Sequence, residues 1–403
     1  MTPIDDPYAA RHGSAADLAA GLQASRRDTL ATFAAFESRP EGLQVPQHPA
    51  LNPPLWELGH IGWFQAWWTG RNAQRQFGPQ ADPNVPRRAG TRADEDALYD
   101  SSHVPHATRW QLPLPDAAQT RADLAARLEE CLALLRTDTA GDDTGLYFHR
   151  LALAHEDMHH EAALYMAQSL GLAIDDPRWQ AAPAAGPRQA IGLDAGPWAL
   201  GWSGPGFAFD NELGAHTVPL PATQIDSRVL TWGEYLPFVE AGGYTQPAWW
   251  ADEGAAWLAA ERPAAPRYLR KAGAAWMHWR HGRWQPLDGH LPACHLTAHE
   301  ALAWCRWAGR RLPTEAEWER AALQQPAAFT WGAVWEWTAS PFQPYPGFAP
   351  HPYRDYSAPW FGSRPVLRGA SFLTQPRMRH PRYRNFFPAH RNDVPAGFRS
   401  CAV

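Results

Sequence analysis

The hydrophobic period of the chain changes near residue 172, and no one class of secondary structure satisfies both sides of that point. Before it, apolar residues return at three- and four-residue steps, the period of a helix with one buried face. "SAADLAAGLQASRRDTLATFAAF" opens on Ser14 with Asp17 three residues later, a capping pair, and predicts a first helix. "NPPLWELGHIGWFQAWWTG" carries proline in its first turn, is apolar nearly all round and stops at Gly70, as a buried helix does. "DAAQTRADLAARLEECLALLRT" predicts a third helix, and "TGLYFHRLALAHEDMHHEAALYMAQSLG" a fourth that ends before Gly171. Four long helices of this kind suggest a bundle.

Residues 172 to 195, including "DDPRWQAAPAAGPRQAIG", have the composition of a linker, and the domain boundary is set there, giving 1–180 and 181–403. Beyond it Gly, Pro and Trp punctuate short segments. Three helices stand out, each with a capping box: Thr231 with Glu234, Thr297 with Glu300, and Thr314 with Glu317. The remainder reads as short strands and long loops, so the whole is α+β in two domains: a four-helix bundle and an irregular α+β unit. A length of 403 residues, about twice that of a usual domain, agrees.

The formal net charge of −5, with both signs dispersed, offers no basic footprint for nucleic acid or an anionic membrane. The opening "MTPIDDPYAARHG" has acids where a signal peptide needs a basic and then an apolar run, and no stretch reaches the ~20 apolar residues of a membrane span. Cys131, Cys294, Cys305 and Cys401 lie far apart and form no CxxC pair, which fits a reducing compartment. A cytoplasmic protein is expected; its oligomeric state is not encoded in any of these features. The 22 tryptophans have two uses, holding a cation on their faces or filling a loop-rich core, and the second should account for most of them.

Residues 155 to 166, "HEDMHHEAALYM", place His155 and His159 four apart on one helical face, where both can point at one ion. A third ligand would come from a facing helix. His60 is the candidate, because its segment is too apolar to tolerate an unpartnered imidazole. Each of these residues also has a plain reading, as a solvated pair and as a hydrogen-bonded core histidine. The run also satisfies HExxH, with Glu156 as the base of a zinc protease, but Ala162 and Tyr165 stand where such a signature needs glycine and histidine. Three neutral imidazoles leave two or three positions open around iron, enough for a substrate atom and dioxygen, and they suit zinc equally.

"LWELGHIGWF", "HEDMHHEAALYM", "RRLPTEAEWERAA", "VWEWTASPFQPYPGF", "VLRGASF" and "RYRNFFPAHR" together resemble the ergothioneine sulfoxide synthases, over nearly the whole chain. That family joins a DinB-like helical bundle to a domain like the formylglycine-generating enzyme, of C-type-lectin-like fold. The resemblance implies Fe(II) held by His60, His155 and His159, with hercynine, a thiol and dioxygen as substrates. It also implies Tyr353 in "HPYRDYSAPWFG" as the catalytic phenol, with Tyr356 three residues on. The cysteine-oxidising chemistry of the second domain's other relatives is not expected, because "VLRGASFLTQPRMRHPRYRNF" contains no cysteine.

Departures from the family pattern concern the donor. Members that use γ-glutamylcysteine have an acid two residues after the asparagine matched by Asn385, where this chain has Phe387; their two arginines three apart correspond to His106 and Arg109. Each lost charge-assisted contact is worth ~1.5–3 kcal/mol, so a neutral donor is expected. The ending "RYRNFFPAHRNDVPAGFRSCAV" is similar to the selenoneine synthases, which implies a selenosugar held with the help of His106 and Arg109. Met158 replaces a glutamine that meets hercynine's ring in relatives, while Asn385 and Phe386 remain; an aromatic face suits trimethylammonium, though Asn385 can equally fix its own loop. The competing readings are a sulfoxide synthase using cysteine or γ-glutamylcysteine, a betaine-binding protein without catalytic metal, and a zinc-dependent hydrolase built on the bundle.

Overall fold

The structure, a computed structural model, describes residues 3–137 and 142–403. Its N-terminal part is helical: α1 (Pro7–His12), α2 (Ala15–Glu37), α3 (Pro54–Trp68), α4 (Glu95–Tyr99), α5 (Ala117–Thr137) and α6 (Tyr147–Ser169). The four long helices are those expected. Ser14 caps α2 as its sequence predicts, accepting the Asp17 N–H while the Asp17 carboxylate accepts the N–H of Ser14. No side chain caps α3; Pro54 begins it, where a missing N–H leaves nothing unsatisfied. α2 packs on α5 and α6, and α3 also packs on α5 and α6, so α3 and α6 lie side by side.

The short α4 closes over α3. A Cβ at Gly59 would lie 2.2 Å from the Tyr99 ring, so only glycine lets the Tyr99 segment approach the turn that carries His60.

The C-terminal part contains α7 (Trp232–Glu240), α8 (Asp252–Glu261), α9 (Ala298–Trp307) and α10 (Glu315–Gln324). α7, α9 and α10 begin at the three predicted capping boxes. α8 was not expected: its N-cap is Ala251, no side chain caps it, and it ends on Arg262 in the left-handed region, so the usual start and stop signals are missing. One four-stranded sheet runs in the order Ala190–Leu193, Thr223–Asp226, Cys401–Ala402, Arg310–Arg311. A second runs Asn385–Phe386, Pro365–Gly369, Trp335–Pro341, Ala396–Gly397, with Leu367 opposite both Asn385 and Trp337. This register fixes Asn385 and Phe386 on a sheet edge.

One apolar core runs through both parts, with Trp56, Phe64 and Phe148 of the helices clustered with Phe209, Trp335 and Tyr383. Trp56, Trp232, Trp318 and Trp337 are wholly enclosed, in keeping with a core-filling role. The parts are also joined by buried ion pairs, Arg11 to Glu212 and Arg377 to Asp157. All four cysteines are buried and free, and burial pushes the thiols of Cys131, Cys294 and Cys401 up to about 12. Among the described residues no helix is long and apolar enough to cross a membrane.

Candidate functional site

Helix neighbours α3 and α6 bring together the three histidines singled out above. One nitrogen each of His60, His155 and His159 lies within 4.8 Å of the others, with His60 and His155 buried and His159 partly so. Each ring is oriented. His60 Nδ1 faces the Tyr99 carbonyl at 2.8 Å, so it carries the proton and leaves Nε2 a free lone pair. His159 Nδ1 is hydrogen-bonded to the Glu57 carboxylate, leaving its Nε2 facing His155 Nε2 at 3.2 Å. The His155 ring lies flat on Phe64, with centroids 3.5 Å apart and planes 2° from parallel.

Electrostatics keep His60 and His155 neutral. Burial, followed by the charge of His159, pushes His60 down to about 3, and burial drives His155 well below the usual imidazole range. Burial alone would raise Glu57, but His159, His60 and Asn52 together hold it down to about 2. His60 and His159 have their second nitrogens engaged, as ligands of a nitrogen-binding divalent metal commonly do, and the Nε2 atoms of His155 and His159 face each other at 3.2 Å. The donor set therefore fits a metal ion.

The other polar residues of "HEDMHHE" are bonded to partners outside the histidine cluster. Glu156 accepts from Arg26 at 2.7 and 3.0 Å, Asp157 from Arg377 and Ser25, and His160 meets Thr32. Glu156 is thus committed to a buried ion pair on α2 and is no protease base. Glu161 accepts from Trp335 Nε1 (2.8 Å), Ser371 (2.6 Å) and Thr374 (2.9 Å), so this helix is riveted to the sheet domain two residues past His159.

A cavity of about 710 Å³ opens over the histidines. Tyr353 lines it, edge-on to Phe64 with centroids 5.0 Å apart and 6.4 Å from the His155 ring; its hydroxyl makes no hydrogen bond among the described residues. Burial pushes this phenol well up, with Asp355 and Asp100 acting in the same direction, so it keeps its proton at neutral pH. Tyr356 also lines the cavity, but its hydroxyl is engaged with Tyr383 at 3.0 Å and its ring is stacked on Phe209. Met158 accepts from the hydroxyls of both Tyr356 and Tyr383 through its sulfur.

Asn385, Phe386 and Phe387 also line the cavity. Asn385 Oδ1 accepts from the Phe386 N–H at 2.8 Å, the loop-fixing bond foreseen as an alternative, which leaves its amide N–H groups for a ligand. Arg109 reaches the cavity, but its guanidinium lies 3.9 Å over Trp56 and donates to Asn52 and to two backbone carbonyls. His106 does not line it: its Nε2 bonds the Leu51 carbonyl at 2.7 Å and its ring is packed edge-on to Trp110, which corrects its expected place beside the donor. Sequence reasoning missed Glu57, although a carboxylate in an apolar helix three residues before a histidine demands a partner. It also missed Arg364, which carries no local signal.

The chain is 32% identical over 409 residues to hercynine oxygenase of Mycolicibacterium smegmatis, covering 87% of this chain and 91% of that protein. The hercynine oxygenase of Mycobacterium tuberculosis gives 32% over 417 residues with the same coverage. This chain belongs to the hercynine oxygenase family. It is accordingly an oxygen-dependent oxidoreductase, as the resemblance implied. Residues 178–333 match the sulfatase-modifying factor enzyme 1-like domain. The formylglycine-generating enzyme of Streptomyces coelicolor is 30% identical over 257 residues, covering 47% of this chain and 82% of that enzyme. A helical N-terminal part followed by this second domain agrees with the expected α+β, two-domain class.

Proposed function

We propose that the chain joins C2 of hercynine to a chalcogen donor in an iron- and dioxygen-dependent oxidation. The observation that carries this reading is the convergence of three imidazoles, two of them, His155 and His159, at the wall of an aromatic cavity that also contains Tyr353. In this reading residues 1–180 hold iron through His60, His155 and His159, and residues 181–403 cap it. Bound Fe(II) supplies redox capacity and open coordination positions. Phe64, Trp68 and Tyr353 shield the histidines from water, and Asn385 with Phe386 and Phe387 positions the betaine. Tyr353, kept protonated by burial, holds a hydrogen at its hydroxyl for the substrate as the new bond forms.

Glu57 acts through His159, whose ring it orients. Glu57→Gln is expected to weaken iron binding about 10- to 100-fold, read by competition with a chelator, with the fold unchanged.

Two donors remain in contention. The hercynine oxygenase relatives support a sulfur donor, making this an ergothioneine-type sulfoxide synthase. A selenosugar is favoured by a specific observation: Arg109 is already engaged, His106 is turned away and Phe387 stands at the wall, so none of these three positions offers a match to the donor's charges. With hercynine, cysteine, γ-glutamylcysteine and a 1-selenoglucose competing in air, γ-glutamylcysteine is expected to be the poorest donor. Two missing charge-assisted contacts predict a deficit of about 100-fold or more, read by product masses. Turnover under nitrogen would defeat the oxidative scheme, and a dominant γ-glutamylcysteine product would defeat the neutral donor.

A further inference from the structure

Two cations and four carboxylates line the cavity over the histidines. Every carboxylate is engaged: Glu57 by His159, Asp157 by Arg377, Glu161 by Trp335, Ser371 and Thr374, and Asp355 by Ser102. Arg109 is bonded to Asn52 and to backbone carbonyls. Arg364 alone is different. Among the described residues its guanidinium has no hydrogen bond and no ion pair; it rests 3.8 Å over Trp360 and 5.8 Å from the Phe386 ring centroid. Burial, with the nearby charge of Arg391, pushes its pKa down to about 10. A half-buried guanidinium at the cavity wall whose five donors meet no protein group is free to turn them to a ligand.

The position of Arg364 says which ligand group that is. Aromatic rings run in steps from the metal cluster to this residue: Tyr353 lies 6.4 Å from His155, Tyr356 6.0 Å from Tyr353, and Phe386 5.9 Å from Tyr356. Arg364 closes the far end of that wall. A substrate whose imidazole reaches toward the histidines lays its tail along these rings. In hercynine the tail is an α-betaine, with the trimethylammonium and the carboxylate on one carbon. The ring faces suit the ammonium; bare Arg364 repels it. A carboxylate between the two cations turns that repulsion into two attractions, and a planar guanidinium matches it bidentately.

We infer that Arg364 is the residue that recognises the carboxylate of hercynine, in the cavity that the free amide N–H groups of Asn385 also line. This assignment rests on hercynine being the substrate, and it is independent of the donor.

A ligand-and-protein cycle tests it. Hercynine and its decarboxylated counterpart, N,N,N-trimethylhistamine, are titrated calorimetrically under nitrogen into the full iron-loaded chain and into Arg364→Met and Arg364→Lys. The wild type is expected to prefer hercynine about 10- to 100-fold, the worth of a charge-assisted hydrogen-bonded pair. Arg364→Met should bind both ligands alike, and Arg364→Lys should recover part of the preference, which a merely structural role would not restore. A preference that survives intact in Arg364→Met overturns the assignment, as does a variant that loses affinity only for the donor. A wild type that binds neither ligand removes the hercynine reading itself, and the assignment with it.

Discussion

Replacing His155 with alanine is expected to strip the protein of iron and reduce turnover to that of the metal-free chain. An orienting partner outside the coordination sphere is worth about 10- to 100-fold in metal affinity, and a ligand contributes more. The His155 ring lies flat against Phe64, an apolar face that offers no donor in its place. Elemental analysis of purified wild type and variant reads the result directly. Tyr353→Phe is the control: it should keep its iron and lose rate, because the phenol lies 6.4 Å, centroid to centroid, from the His155 ring and reaches none of the three imidazoles by a hydrogen bond. A wild type without metal would point to a plain betaine-binding protein, and one that retains iron after His155→Ala would place the metal elsewhere.

Arg384→Met should be the most damaging single change to stability. The Arg384 side chain is 1% exposed and donates to both oxygens of Glu315 (2.9 and 3.0 Å) and to the carbonyls of Asn211 (2.7 Å) and Gln343 (3.0 Å). Removing one partner of a buried pair strands the other, at a cost of about 3–5 kcal/mol. Burial alone would raise Glu315, but the charge of Arg384 holds it below its ordinary 4.5. A carboxylate with a depressed folded value stabilises above its unfolded pKa and loses that contribution as pH falls through the folded one. The gap between wild type and variant should therefore be widest at neutral pH and narrow in acid below 4.5, as Glu315 takes a proton. Urea unfolding at several pH values measures it. Because Arg384 directly precedes Asn385 and Phe386, hercynine affinity should fall with stability.

Much of this was legible in the residues because it rests on local rules. The capping boxes at Thr231, Thr297 and Thr314 begin helices where the pattern says they must, and a spacing of four puts His155 and His159 on one face. His60 could be nominated from afar because an imidazole in an apolar helix needs a partner. What escaped depends on the third dimension. Whether Arg109 is free or bound to Asn52, whether His106 points inward, and whether Arg364 has a counter-charge are all decided by segments distant in sequence. α8 escaped for a local reason, since Ala251 gives no capping signal.

The depth at which the four thiols sit bears on how such an enzyme survives its own work. A catalyst that admits dioxygen alongside a soft nucleophile risks turning that reactivity on its own sulfur. Here no thiol belongs to the cavity wall, and the proton each holds so firmly keeps it from becoming the thiolate that oxidants attack. Chemical insulation of this kind leaves no protein thiolate to compete with the incoming donor, and among the described residues the only sulfur at the wall is that of the less nucleophilic thioethers of Met158 and Met378.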